Sequence, residues 1–334
     1  MRYFVTGGTG FVGCHLVHQL TDRDHDVVAL VRSPSKARHL PDGVETVEGD
    51  VTDKRSMREG MAGADGVFHL AAWYRIGSGD SETAERANVD GTRNVLELVD
   101  ELGVEKAVYT SSVAVFSDTC GETVDESYRY DGPHLSVYDR TKWRAHYNVA
   151  EPMMRDGVPL VVVMPGAVYG TPVSGAGDTS DLREMWRRYL RGRLPFVTRE
   201  TAACWDHVAD CARAHRLAMQ CGEPGKTYII AGEPRTFVDV FDLAEQITGI
   251  SAPRSISPRW VRTLARATGR LDRVVTPPKA IHPETLSRIS GTTWLADNSK
   301  AKAELGLTHR PLEDGLREYL EWERARLNSG ARDG

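Results

Sequence analysis

A chain of 334 residues that is 40% hydrophobic can bury a sizeable core, as one large or two modest domains. A net charge of −5 with no basic run offers a nucleic acid or an anionic membrane nothing to sit on. The chain begins directly in a strand and holds no apolar run near the ~18 residues of a membrane span, so a soluble, cytoplasmic protein is expected. Cys14, Cys120, Cys204, Cys211 and Cys221 are odd in number and scattered, which fits reduced thiols. His15 and His18 have a metal-ligand spacing on the first predicted helix, but the plainer reading turns at least one to solvent, and no metal is expected.

An apolar strand over residues 2–5 runs into Thr6-Gly7-Gly8-Thr9-Gly10-Phe11-Val12-Gly13, after which Val12, Leu16, Val17 and Leu20 recur at helical spacing. Gly8, Gly10 and Gly13 satisfy G-x-G-x-x-G, and Gly7 adds an overlapping frame. Glycine is needed where a turn takes unusual backbone angles and must approach a pyrophosphate over the positive end of a helix. Alone the glycines would be an ordinary turn; strand before and helix after make them a dinucleotide fingerprint. The second strand, residues 26–31, ends at Arg32-Ser33-Pro34-Ser35-Lys36, where an acid would bind a ribose 2′-hydroxyl. Arg32 with Lys36 behind it can pair instead with a 2′-phosphate, which favours NADP(H) over NAD(H); the alternative is two cations facing water.

A third strand, residues 44–48, leads to Gly49-Asp50-Val51-Thr52-Asp53, where Asp50 could accept from an adenine amine. The fourth, residues 66–70, is followed by Ala71-Ala72, small enough for backbone to approach a cofactor. A helix from near Glu82 carries Asn88 and then Val95, Leu96, Leu98, Val99 and Leu102. The fifth strand, residues 106–109, delivers Thr110-Ser111-Ser112 to the same edge. In Tyr138-Asp139-Arg140-Thr141-Lys142 the spacing of four sets phenol and ammonium on one helical face. An ammonium nearby favours the phenolate and makes the phenol a usable acid or base, while Ser112 would hydrogen-bond a substrate oxygen. Unbroken alternation of strand and helix implies parallel strands joined by right-handed crossovers, hence an α/β, doubly wound sheet with ligands at the strands' carboxyl ends.

The sixth strand covers residues 160–164, and residues 170–181 form a loop suited to a lid. Helix is expected over 180–190, a short strand over 194–197, helix over 207–219, strand over 226–230, and helix over 238–248 opened by a turn at Arg235-Thr236. Two helical patterns between residues 257 and 290 are separated by Pro277-Pro278, and a terminal helix spans 311–326 with a frayed tail from Asn328. Residues 1–170, with 198–232 returning, read as the dinucleotide-binding domain, and 171–327 mostly as a smaller substrate-binding portion. Apolar turns after Asn88 and after Tyr138 could support a homodimer.

The order of glycine fingerprint, serine-bearing strand and tyrosine–lysine helix resembles the extended short-chain dehydrogenase/reductase (epimerase/dehydratase) family over nearly the whole chain. Further likeness lies in His69-Leu70-Ala71-Ala72, Asn88-Val89-Asp90-Gly91-Thr92, Pro165-Gly166-Ala167-Val168-Tyr169-Gly170, His207-Val208-Ala209-Asp210 and Asn298-Ser299-Lys300-Ala301. Val31-Arg32-Ser33-Pro34 is most similar to dihydroflavonol-reductase-like members, and His69 to Arg75 to hopanoid-associated epimerase-like ones. The resemblance implies a Rossmann fold and a catalytic triad of Ser112, Tyr138 and Lys142. It also implies a dinucleotide held by Gly7, Thr9, Gly10, Phe11, Val12, Arg32, Lys36, Asp50, Val51, Leu70, Ala71, Ala72, Asn88, Thr110, Tyr138, Lys142, Pro165, Gly166 and Val168. Sugar-nucleotide epimerases carry an Asn and an Arg where this chain has Ala167 and Ala203, and the dehydratases an Asp-Glu pair where it has Val113-Ala114.

Trp73, Tyr74, Ser112, Tyr169 and Trp186 are therefore expected to bind a small, largely apolar substrate, though most aromatics of the second half would equally serve a core. The activity expected is reduction of a ketone or aldehyde, or oxidation of the matching alcohol. A sugar epimerase is the alternative enzyme. A dinucleotide sensor without catalysis is the alternative from another class, and an intact Ser112, Tyr138 and Lys142 speaks against it.

Overall fold

The computed structural model describes residues 1–77, 80–173, 180–271 and 282–330. Short β-branched runs alternate with amphipathic helices through the first half. β1 (Arg2–Thr6) leads into α1 (Phe11–Thr21), followed by β2 (Asp26–Val31), β3 (Glu45–Glu48), α2 (Lys54–Met61) and β4 (Gly66–His69). Next α3 (Ser81–Glu85) passes through a π-helical turn (Arg86–Asp90) into α4 (Gly91–Glu101), then β5 (Lys106–Thr110). α5 (Val137–Ala145) passes through a second π-turn (His146–Ala150) into α6 (Glu151–Arg155), and β6 (Leu160–Met164) closes this half.

The second half runs β7 (Ala167–Tyr169), α7 (Asp181–Leu190), β8 (Phe196–Thr198), β9 (Ala202–His207), α8 (Val208–Cys221), β10 (Thr227–Ile229), β11 (Glu233–Thr236) and α9 (Phe237–Thr248). It ends with β12 (Arg254–Ile256), α10 (Pro258–Leu271), α11 (Pro283–Arg288), β13 (Thr293–Trp294), α12 (Ser299–Leu305) and α13 (Leu312–Gly330).

Seven strands form one sheet in the order β10-β6-β5-β4-β1-β2-β3, every neighbouring pair parallel. The connection reverses between β1 and β4, so their carboxyl ends flank the crevice where a doubly wound sheet binds ligands. Alternate residues of each strand feed opposite layers. Phe4 and Tyr109 pack with Met57, Leu96 and Phe116 on one face. Val5 and Val108 pack with Leu16, Leu20, Phe68 and Ala214 on the other.

A smaller sheet, absent from the expectations above, joins β11, β9 and β13, with β7 also on β9, and β8 pairs β12 separately. Its strands are two to six residues long, and β9 is buried throughout, so no alternating pattern marks it in the sequence. The turn expected at Arg235-Thr236 is strand β11; Thr236 then caps α9 through a reciprocal box with Asp239. The terminal helix continues through Gly330 instead of fraying at Asn328. Part of the lid-like loop and Pro277-Pro278 lie outside the described residues. Among the described residues, no helix is long and apolar enough to cross a membrane, and no group of three or more His, Cys, Asp or Glu residues could hold a metal ion.

Candidate active site

Gly7, at the end of β1, has φ +74°, which L side chains rarely adopt. A Cβ there would stand 2.7 Å from the Ala71 nitrogen and 2.8 Å from the Leu70 carbonyl carbon, so the turn lies directly on the chain leaving β4. A Cβ on Gly13 would come within 2.1 Å of the Gly7 oxygen, to which the Gly10 N–H donates at 2.9 Å. Gly10 begins α1 without a side-chain cap, and no acid occupies the first turn. An uncapped eleven-residue helix start behind a glycine turn fits a pyrophosphate, with Thr9, Phe11 and Val12 beside it.

Arg32 and Lys36 are exposed beyond the end of β2 and have no ion pair among the described residues. Asp50 commits one carboxylate oxygen to the Thr52 N–H and hydroxyl, both at 2.9 Å, and next to it Val51 is buried. Arg32→Asp is expected to shift the ratio of NADPH to NADH affinities at least roughly tenfold toward NADH, the worth of one charge-assisted bidentate pair. Parallel titrations read that ratio, and an unchanged value would show that Arg32 serves only the solvent face.

Two brackets hold the floor of the site. His69 is buried, with Nδ1 2.7 Å from the Thr6 hydroxyl, Nε2 3.1 Å from the Thr92 hydroxyl, and its ring stacked on Tyr109. Burial, with Lys142 adding, pushes its pKa down to about 3, so it is a neutral strut. Asn88, expected at the cofactor, sits in the first π-turn and spends its amide elsewhere. Its oxygen accepts from the Trp73 N–H at 2.7 Å, and its nitrogen donates to the Trp73 carbonyl at 3.1 Å and to the Thr141 hydroxyl at 2.9 Å. The segment leaving β4 is thereby tied to the helix that carries Tyr138. Thr110, another expected contact, pairs its hydroxyl with His215 at 2.8 Å.

Ser112 follows β5 and caps a 3-10 turn, its Oγ accepting from the Ala114 N–H at 3.1 Å. Tyr138 on α5, whose start is capped by Ser136, lies near enough to Ser112 for that hydroxyl to act on it. Burial, reinforced by the Tyr74 phenol, pushes the Tyr138 hydroxyl well above its ordinary range, while Ser112 and Arg288 pull the other way. The Tyr74 ring meets the Tyr138 ring edge-on at 4.7 Å.

Lys142 does not turn toward that phenol. Its Nζ donates to the Tyr109 hydroxyl at 3.0 Å and the Thr110 carbonyl at 2.7 Å, above the Tyr109 ring. The cation that acts on Tyr138 is Arg288 of α11, which sequence reasoning missed. It pairs with buried Asp139 at 2.5 Å and lies 4.5 Å over the Trp294 ring. From the same helix, Glu284 accepts from the N–H groups of Val137 at 3.0 Å and Gly77 at 2.8 Å. No local signal marked Arg288, since Asp139 has Arg140 and Lys142 close by in sequence and its partner stands 149 residues away.

Burial lowers the Lys142 ammonium to about 7. Between there and the ordinary lysine value of ~10.4, the unfolded chain binds the extra proton, so Lys142 makes stability rise with pH. Buried Cys14 and Cys204, pushed up to about 11, act in the opposite sense once free thiols ionise near ~8.5. Without cofactor, the melting temperature of the wild type is expected to gain on that of Lys142→Met between pH ~7 and ~8. A constant difference between the two would show that the amine is not depressed.

Of the expected substrate residues, Trp73 and Tyr74 stand at the mouth, Tyr74 exposed. Tyr169 and Trp186 do not. Both are buried in a third core with Trp205, Phe241 and Tyr319, because α7 presents its apolar face to α9 and α13. Gly166 answers a packing need, since a Cβ there would lie 2.3 Å from the Cys204 oxygen. Pro165 gives its carbonyl to Val113, and Val168 is half-buried between sheets.

A doubly wound sheet with a glycine seat at the β1/β4 crevice and a tyrosine–lysine helix beside β5 defines an extended short-chain dehydrogenase/reductase. The model of the NAD dependent epimerase/dehydratase family matches residues 3–231, and the chain belongs to that family. It is 33% identical, over 96% of its length and 94% of the relative's, to a Synechocystis sp. protein described as "Putative dihydroflavonol 4-reductase". It is 30% identical to the 3 beta-hydroxysteroid dehydrogenase/Delta 5-->4-isomerase of Mycobacterium tuberculosis, over 93% of this chain and 86% of that one. The crystal structure of gox2253 superposes with a TM-score of 0.82 at 30% identity, covering 97% of this chain and 98% of that chain. The protein is thus an enzyme of a nicotinamide-dinucleotide family with oxidoreductase relatives.

Proposed function

We propose that the chain is an NADP(H)-dependent oxidoreductase that reduces a ketone or aldehyde, or oxidises the matching alcohol. One observation carries this reading: the half-buried Tyr138 phenol on α5 comes close to the Ser112 hydroxyl at the end of β5, with Lys142 on the same helix reaching back to β5. A bound reduced nicotinamide supplies the hydride. Tyr138 donates its proton to the carbonyl oxygen as charge develops there, and Ser112 orients that oxygen. Lys142 holds the cofactor side of the site against Thr110 and Tyr109, and Arg288 steadies the phenolate left behind.

Features around the site weigh against a sugar-nucleotide substrate. Ala167 and Ala203 stand on β7 and β9 where epimerases of the resembled type carry diphosphate-binding groups. Of the two arginines that could substitute from another direction, Arg183 is engaged with buried Glu323 at 3.0 Å and lies over Trp322, while Arg199 is exposed just past β8. Exposed Tyr74 and half-buried Trp73 favour an apolar carbonyl compound. Residues 1–170 with 198–232 would hold the dinucleotide, and much of 171–327 would close over the substrate.

The test is titration with NADPH and NADH, then a panel of aldehydes and ketones followed by NADPH absorbance. Tight NADPH binding with net consumption is the expected result. Binding without consumption of cofactor on any carbonyl would overturn the reductase reading.

A further inference from the structure

α10 carries three faces. Val261 and Thr268 are buried against the body. Trp260 and Leu264, one turn apart, are 75% and 43% exposed. Arg259, Arg262 and Arg266 are exposed along the adjoining face. The fourteen-residue helix contains four arginines and no acid, in a chain of net charge −5. Spread at helical intervals, Arg259, Arg262 and Arg266 make a basic stripe that a search for consecutive cations does not find.

We propose that this outer face of α10 is a peripheral docking surface for a bilayer bearing anionic lipid headgroups. An indole has an apolar body and one N–H donor, which suits the boundary between acyl chains and headgroups, and Leu264 beside it would enter the acyl side. Arg259 and Arg266 can lay their stems along that boundary and give their guanidinium forks to lipid phosphates, while Arg262 gives its Nε–H to the Ser290 carbonyl at 3.0 Å. A second copy is a poor occupant, because a two-fold contact through this helix would bring like arginine faces together. A nucleic acid strand fits less well, since Leu264 offers no stacking platform and the surface is a convex helix without a groove.

The surface is also next to the chemistry. α10 packs on α11, whose Glu284 and Arg288 grip the helix that carries Tyr138. Docking therefore sets lipid against the helix next to α11, whose Arg288 also has Tyr74 as an electrostatic neighbour. That an apolar substrate would enter from the bilayer rests on the reductase reading; the docking does not.

The test is co-sedimentation of the full chain with vesicles of phosphatidylcholine alone and with about a third phosphatidylglycerol, at low and high salt. Binding only to the anionic vesicles, lost at high salt, is expected. Arg259→Gln combined with Arg266→Gln should weaken binding roughly thirtyfold, the worth of two surface cations at a charged membrane. Trp260→Ser combined with Leu264→Ser should weaken it comparably, and both variants should keep the wild-type melting temperature and dinucleotide affinity, since the four side chains are exposed. No sedimentation with anionic vesicles, unchanged binding by either folded variant, or displacement of vesicles by an oligonucleotide would overturn the proposal.

Discussion

Tyr138→Phe is expected to lower kcat about 10²–10⁴-fold while dinucleotide affinity stays within about twofold. The substitution removes one oxygen and leaves the ring that meets Tyr74 and the buried surface around α5 intact. It removes the hydroxyl proposed as proton donor and leaves Ser112 with its bond from the Ala114 N–H. Steady-state rates on whichever carbonyl the panel identifies, with fluorescence titration of NADPH, separate the two quantities. Turnover surviving within tenfold of wild type would remove Tyr138 from the chemistry. Comparable losses of affinity and turnover would assign it a structural task instead.

Gly13→Ala should cripple the dinucleotide seat, lowering the affinity for NADPH at least roughly tenfold and destabilising the fold by about 1–3 kcal/mol. The new methyl would lie 2.1 Å from the Gly7 oxygen, a backbone atom that cannot swing aside. Gly7 has little room to retreat, because the space where its Cβ would stand already lies 2.7 Å from the Ala71 nitrogen and 2.8 Å from the Leu70 carbonyl carbon. Gly10→Ala is the graded control: its methyl would stand 3.1 Å from the same oxygen, close enough to press but not to displace. Calorimetry and cofactor titration of both variants should rank Gly13 well above Gly10. Equal, small effects would mean that the turn yields more easily than its packing implies.

The parts of the fold visible in sequence were those governed by short periods. The strands of the large sheet are β-branched runs bounded by turns, and their limits shift by one residue at an end of β1, β3, β4 and β5 and at both ends of β10. The glycine seat was legible because the residues it needs lie close together in sequence: Gly7 with its positive φ and Gly13, which packs on the Gly7 oxygen, are six positions apart. Arg288 was not, because its partner Asp139 stands 149 residues away and a lone arginine near a short helix announces nothing. Lys142 was misjudged in direction. The spacing of four from Tyr138 puts both on one face, but the long side chain reaches back to β5, where a phenol and a carbonyl offer two acceptors. Trp186 and Tyr169 show the other limit: aromatic residues in a substrate-side segment look alike whether they line a cavity or fill a core, and only the three-dimensional neighbourhood of Phe241, Trp205 and Tyr319 decides.

The contact of the glycine turn with the chain leaving β4 has a consequence for how the molecule is made. The Ala71 N–H reaches the Thr6 hydroxyl across 65 residues, and the Gly7 backbone rests on the same stretch. A nascent chain that has released β1 and α1 from the ribosome therefore owns the whole glycine signature but not yet the surface it forms. That surface exists only after the loop between has closed and β4 has slotted beside β1, a non-local event paid for in chain entropy. Nucleotide then acts as a latch on a finished sheet, stabilising it by mass action, and not as a template around which the first strands assemble.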